Sequence, residues 1–135
     1  LASTFRLEVV APDRKFFEDY VEMVVLKTID GEIGILKGHV PLVTPLAIGI
    51  MKIKKDGEWK KAFLSSGFVE VKRDKVVVIA DAAEWPEEID VERAKRAKER
   101  AEKRLEKKEE GIDVLRAEAA LKRALTRLKL VEEYQ

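Results

Sequence analysis

The residues with the clearest chemical potential are arginines, read together with the neighbours three and four positions away that they would meet on a helix. Arg96 has Glu92 and Glu99, Arg116 has Asp113, and Arg93 has Asp90. Arg100, Arg123 and Arg127 have no acid at those spacings, in a chain with 26 acidic residues. On a wheel at about 100° per residue, Arg93 and Arg100 lie within about 20° of each other, and Arg123 and Arg127 within about 40°. If the chain folds back about Gly111, Arg127 comes level with Arg93, and Arg123 with Ala97 and Arg100. Four guanidiniums gathered on one rim repel unless an anion lies between them, and their planar forks suit phosphate oxygens. The plainer reading is a solvated, mutually tolerated basic face.

Composition excludes most rival chemistries. There is no cysteine, so disulfides and thiolate metal sites are out, and a single histidine cannot build a histidine-based metal centre. A net charge of +1 supplies no global field for nucleic acid or an anionic membrane, and the helical segments carry no aromatic stacking platform. No phosphate-cradling glycine loop is present, and no pair of carboxylates stands out as an acid/base couple. No apolar run has the length of a membrane span, and the start "LASTFRLEVV" lacks a signal-peptide layout, so a soluble chain is expected. The charged fraction of 39%, with few Asn and Gln, is of the kind found in thermophile proteins.

Two kinds of element must position these residues, and the chain changes character near residue 85. Before it, apolar residues alternate at period two: "FRLEVVA" sets Phe5, Leu7 and Val9 on one face, and "VEMVVLK" sets Val21, Met23 and Val25 on one face. Turn signals recur at Pro12-Asp13, Asp30-Gly31 and Arg73-Asp74, and "IMKIKKDGEWKKAFL" reads as a hairpin about Asp56-Gly57. Short strands without intervening helices predict an antiparallel β-sandwich or flattened barrel over residues 1–84. Residues 85–88, with Pro86, form a linker. From Ile89 to Glu110 and again to about Val131 the chain is rich in Ala, Glu, Lys, Arg and Leu, broken at Gly111. Ala94, Ala97, Ala101 and Leu105 share one stripe, and Ala117, Leu121, Ala124, Leu128 and Val131 another. Residues 89–135 are therefore an antiparallel helical hairpin, and the whole chain is of the α+β class. An alanine seam buries little apolar area, so the hairpin is only marginally held shut.

Both helices open on nearly the same hexapeptide, "IDVERA" at 89–94 and "IDVLRA" at 112–117. Capping explains the repeat. Asp90 and Asp113 are N-caps that accept otherwise unpartnered backbone N–H groups, and Ile89 with Ala94, or Ile112 with Ala117, stand at the positions of a hydrophobic staple. Capping does not explain the arginines. His39 stands among glycines and prolines in "GEIGILKGHVPLVTPL" and reads as a turn histidine rather than a catalytic one.

That last segment, with "SSGFVEVKRDKVVVIADAAE" (65–84) and "EIDVERAKRAKERAEKRL" (88–105), resembles the epsilon-subunit family of bacterial F-type ATP synthases, in its ATP-binding form, over nearly the whole chain. Lys37 departs from the proline usual before Gly38-His39, and Trp85-Pro86 from the commoner residues there. The resemblance implies a rotor subunit at the foot of the central stalk, its β-sandwich touching the gamma subunit and the c-ring. Glu32 and His39 match the family's loop that approaches the c-ring. The hairpin is implied either to fold down or to extend along gamma toward the alpha/beta catalytic hexamer, where it blocks ATP hydrolysis.

ATP-binding members carry an I/L-D-x-x-R-A motif, matched by Ile89, Asp90, Arg93 and Ala94, an acid just upstream, matched by Glu84, and further arginines, matched by Arg100, Arg123 and Arg127. The resemblance thus implies ATP, with magnesium as an optional companion, as a regulatory ligand and not a catalytic cofactor. It implies no catalytic residue and no metal site. The chain is expected to be non-catalytic, to bind no nucleic acid, and to lie peripherally on the cytoplasmic face of the cell membrane only through its complex. Two rivals remain: a purely structural coupling subunit whose basic rim docks on an acidic protein surface, and a nucleotide hydrolase, which lacks a general base or metal cluster.

Overall fold

The computed structural model describes residues 3–107 and 113–134. The chain divides into two compact units, Leu1–Trp85 and Pro86–Gln135.

The first unit contains ten strands: β1 (Phe5–Ala11), β2 (Arg14–Val21), β3 (Met23–Thr28), β4 (Gly31–Leu36), β5 (Leu42–Leu46), β6 (Gly49–Lys55), β7 (Glu58–Leu64), β8 (Gly67–Val71), β9 (Lys75–Ala80) and β10 (Ala83–Glu84). They run in the order β10-β7-β6-β3-β5-β8-β9-β1-β2, with β4 beside β3. Between β3 and β5 a single residue pair, Thr28 with Leu46, carries the sheet from one layer to the other. Strands β10, β7, β6, β3 and β4 make one layer, and β5, β8, β9, β1 and β2 the second. Alternate residues point between them, and Leu7, Val9, Val24, Leu26, Ile35, Ile53, Val69 and Val78 are fully buried there.

The free edges β2 and β10 are drawn together by Arg14, whose Nη2 donates to Ala83 O at 3.0 Å. The Lys55–Asp19 ion pair and a Glu22 N to Lys54 O bond of 2.8 Å tie β2 and the residue after it to β6. The result is a flattened barrel.

Turn chemistry acts where the sequence places it. Asp56 and Gly57 both have positive φ, 52° and 77°, as a two-residue type I′ hairpin requires. Gly67 is needed for a different reason: a Cβ there would stand 1.9 Å from Ile79 O on the paired strand.

Two expectations need correction. The sheet is not wholly antiparallel, because β1 pairs β9 in parallel from Arg6 with Lys75 to Val10 with Ile79. The pair joins opposite ends of the unit, and the intervening strands supply the long connection that parallel neighbours need. The expected face of Val21, Met23 and Val25 is also out of phase. Val21 ends β2 and is buried, but in β3 the inward residues are Val24, Leu26 and Thr28. The bend at Glu22 shifts the alternation, and it is held because Glu22 Oε1 accepts from Gly57 N at 2.8 Å.

In the second unit a 3-10 turn, Pro86–Glu88, leads to α1 (Val91–Lys107), and α2 (Val114–Tyr134) follows. Both caps form: Asp90 Oδ1 accepts from Arg93 N, and Asp113 Oδ1 from Arg116 N, each at 3.0 Å. Ile89 and Ala94 are both buried, as a staple requires. The break at Gly111, the staple residue Ile112 and the expected run to Glu110 lie outside the described residues. The seam is built from alanine: Ala94 and Ala101 on α1, and Ala117 and Ala124 on α2, are buried, while Ala97, Leu105, Leu121, Leu128 and Val131 are half-buried. Leu130, off that stripe, is fully buried as well.

Candidate functional site

At the open end of the helical unit α2 meets the 3-10 turn. The Tyr134 hydroxyl hydrogen-bonds the Glu87 carboxylate, and that bond, with the carboxylate's charge, raises the tyrosine pKa above its ordinary value. The last turn of α2 therefore lies beside the entry to α1, and the helices run antiparallel. At about 1.5 Å per residue, Arg127 comes level with the first turn of α1, which holds Arg93, and Arg123 with the turn from Ala97 to Arg100.

The seam then decides which side the arginines take. Arg93, Arg100 and Arg123 each stand one residue before a buried seam alanine, namely Ala94, Ala101 and Ala124, and Arg127 stands before half-buried Leu128. In antiparallel helices packed face to face, the position before a seam residue falls on the same side of the pair in both. The four guanidinium stems thus start along one rim. Arg93 and Arg100 are exposed, and Arg123 and Arg127 are half-buried.

Charge pairing on this rim is sparse. Among the described residues, Arg93, Arg100 and Arg123 enter no ion pair, whereas Arg127 is engaged. The neighbouring pair is Lys95 with Glu92, at 3.7 Å on the outer face of α1. Asp90 spends one carboxylate oxygen on the cap, and its backbone carbonyl accepts from Ala94 N at 3.0 Å. A carboxylate at that point also meets the positive end of the helix dipole. Arg116, in the second hexapeptide, has the same capping geometry but sits at the other end of the hairpin.

Other features lie away from the rim. A groove of about 660 Å3 lined by Glu99, Glu102, Lys103, Leu105, Glu106 and Leu121 lies toward the Lys107 end of α1 and contains none of the four arginines. Glu84 belongs to the first unit: it closes β10, pairs with Phe63 of β7 and has interactions of its own. Ile89, Asp90, Arg93, Ala94, Arg100, Arg123 and Arg127 belong to the second.

Glu32 and His39 do not share one loop. Glu32 lies near the start of β4 opposite Lys27, and His39 lies past its far end, with about 13 Å of strand between Glu32 and Leu36. His39 closes a turn through its N–H to Leu36 O at 3.1 Å, and its Nδ1 donates to Val40 O at 2.8 Å. Among the described residues no cluster of three His, Cys, Asp or Glu is placed to hold a metal, and no helix is long and apolar enough to cross a membrane.

Sequence reasoning did not reach the partners of two side chains, one in each unit. Tyr134 closes the open end, and its only sequence signal was a tyrosine in the final turn. Trp85 stacks on Phe16 with ring centroids 4.4 Å apart, a partner 69 residues away that no local pattern reveals.

Comparison with known proteins covers both units. The family described as "ATP synthase, Delta/Epsilon chain, beta-sandwich domain" matches residues 4–86, and "ATP synthase, Delta/Epsilon chain, long alpha-helix domain" matches residues 87–132. The ATP synthase epsilon chain of Caldicellulosiruptor bescii is 58% identical over 129 residues, 96% of this chain and 94% of that one. The chain of the same name from Caldanaerobacter subterraneus subsp. tengcongensis is 57% identical over 133 residues, 98% and 96% of the two chains. A chain in the OSCP/F1/c-ring structure of the Euglena gracilis mitochondrial ATP synthase aligns with a TM-score of 0.81 at 26% identity, covering 98% of this chain and 81% of that one.

Proposed function

Since the chain belongs to the ATP synthase delta/epsilon chain family, as a non-catalytic epsilon-type subunit of the enzyme, we propose that its sandwich couples the rotor and its hairpin senses ATP. In this reading the sandwich contacts the gamma subunit and the c-ring, with Glu32 and His39 toward the ring. The closed hairpin binds ATP and the extended hairpin restrains ATP hydrolysis at the alpha/beta hexamer. The assembly lies on the cytoplasmic face of the membrane.

The observation that carries the reading is the rim. Arg93, Arg100 and Arg123 start on one side of the helix pair without an ion pair among the described residues, and Arg127 starts on the same side. Such a row of forked donors suits a triphosphate. Acceptors near Glu84, Ile89 and Asp90 suit the adenine amino group. Guanine presents an acceptor at that position, so ATP is preferred to GTP. Residues from both helices take part, so ATP favours the closed form. At a hundredfold excess over its dissociation constant the gain is about 2.7 kcal/mol, enough to reset a marginal hairpin.

The rival reading, a structural subunit whose basic rim meets an acidic protein surface, draws on the cap geometry, which accounts for Asp90 without any ligand. Calorimetric titration of the isolated chain separates the two. Saturable heat with ATP and a weaker response to GTP support sensing, and no heat at millimolar ATP removes it. Within the complex, deletion of residues 86–135 leaves assembly intact and raises ATP hydrolysis, and loss of assembly would overturn this division of labour.

A further inference from the structure

We propose that the groove side of the helical pair is a docking face for a second copy of this chain, two hairpins packing antiparallel about a two-fold axis. The face lies on the side away from the arginine rim. Arg93, Arg100 and Arg123 precede seam alanines, whereas Lys95, Glu102, Glu118 and Leu125 follow Ala94, Ala101, Ala117 and Ala124. In antiparallel helices the positions after seam residues share the other side of the pair. Two depressions agree with this placement. One, of about 660 Å3, runs between Leu105 and Leu121 and is walled by Glu99, Glu102 and Glu106. The other, of about 260 Å3, has Leu121 and Leu125 together with Glu118, Lys122 and Lys129. Leu121 lines both, so they form one groove with a leucine floor. Leu125 is 45% exposed and Val114, farther along the same face, 49%, so the apolar strip has no cover within the chain.

Charge decides the occupant. With Arg127 level with Arg93, Lys122 comes level with Lys98, and Glu118 with Glu102. The half of the face toward the open end is therefore basic, with Lys95, Lys98, Lys122 and Lys129. The other half carries Glu99, Glu102, Glu106 and Glu118, with Lys103 beside them. Lys95 is paired with Glu92 at 3.7 Å, but among the described residues Lys98, Lys122, Lys129, Glu102, Glu106 and Glu118 enter no ion pair. A uniformly acidic or basic partner satisfies one half and is repelled by the other. A second copy turned end for end satisfies both. With the axis level with residues 100 and 120, Glu102 of one copy meets Lys98 of the other, Glu106 meets Lys95, and Glu118 meets Lys122. Leu121 lies near the axis and Leu125 meets Val114. Rotation about the long axis of the hairpin instead sets Glu102 against Glu118 and Lys98 against Lys122, so charge selects the antiparallel arrangement. Two helices about 25 Å long and about 10 Å apart present a face of roughly 500 Å2 per copy. That is short of the roughly 800 Å2 per partner of a standard interface, so the association is weak and reversible, in the micromolar range or above.

Sedimentation equilibrium of the full chain without nucleotide tests this, so its failure leaves the ATP-sensing reading untouched, and the reverse holds as well. Between about 10 μM and about 1 mM the mean mass should climb from the 15.4 kDa of one chain toward twice that value. Added salt should lower it again. Leu125→Lys should leave the chain a monomer throughout that range. Glu118→Lys and Lys122→Glu each set like charges against each other across the axis, and each alone should weaken association about tenfold or more. Mixed in equal amounts, these two variants should associate about as tightly as wild type, because every altered charge then meets its opposite. All three positions are exposed, and Leu125→Gln replaces Leu125→Lys if that variant loses its helix. Three results would overturn the docking face: wild type stays monomeric throughout the range, Leu125→Lys still self-associates, or the mixture binds no tighter than its components.

Discussion

The two units are built at very different densities of apolar burial. In the sandwich the inward positions hold Leu, Ile, Val, Phe and Met, and Leu7, Leu26, Ile53 and Val78 retain no exposure. Each such side chain contributes about 1.5–3 kcal/mol. In the hairpin the buried seam is alanine at positions 94, 101, 117 and 124, and Ile89 and Leu130 are the large buried aliphatic side chains among the described residues. A methyl group contributes about 0.8 kcal/mol. The helices are consequently held by a thin seam, to which their caps, at about 1 kcal/mol each, make a substantial addition. One polypeptide thus pairs a unit suited to constant load with a unit whose closure small interactions can reset.

The contrast is open to direct attack. The largest effect is expected from Ile53→Ala, which should cost about 2–5 kcal/mol in denaturant unfolding. Leu105→Ala, half-buried in the hairpin, should cost under about 1 kcal/mol. Equal losses would erase the distinction. Next come the rim arginines. Arg100→Ala and Arg123→Ala should each remove about 1.5–3 kcal/mol of ATP binding in a calorimetric titration. Both should change the ligand-free protein by no more than about 0.5 kcal/mol. Arg116→Ala, at the far end, should leave ATP binding unchanged.

Smaller still are the caps. Asp90→Ala and Asp113→Ala should each cost about 1 kcal/mol of helix stability, seen as lost helical circular dichroism with the sandwich transition unmoved.

The finest contrast is in pH. The Lys55 ammonium, together with the Tyr20 backbone N–H, holds Asp19 below its ordinary pKa. That contribution to the sandwich is full above about pH 4 and disappears as pH falls through the folded value. Tyr134 is shifted the opposite way by Glu87. Its contribution to the hairpin is full below about pH 10 and is lost as pH rises through the folded value. Acid should therefore loosen the sandwich and alkali the hairpin, and Asp19→Asn and Tyr134→Phe should flatten the respective profiles. A hairpin that loosens in acid as readily as the sandwich would contradict the assignment.

Most of the local structure was legible because it depends on neighbours close in sequence. Period-two alternation marked β1, β8 and β9. Asp56-Gly57 announced a turn that needs two positive φ values, and Asp90 and Asp113 announced helix starts whose caps both form. The face of β3 was misread because the controlling contact, Glu22 to Gly57, spans 35 residues. Leu130 was missed because a wheel drawn for one seam gives no second face to bury.

For the site, the sequence alone determined that Arg100, Arg123 and Arg127 lack an acid at helical spacing, a feature that Arg104 shares, and it set the alanine seam beside which they stand. Those facts follow from 3.6-residue periodicity and need no distant partner. Tertiary structure decided the rest. The parallel closure of β1 on β9, the Arg14–Ala83 bridge between sheet edges and the Trp85 stack on Phe16 join residues 69 or so positions apart. The packing of α2 back along α1, which brings Tyr134 beside Glu87, places Arg127 across from Arg93. Contacts of that range are chosen by packing the whole chain at once, and no local window of sequence holds both partners.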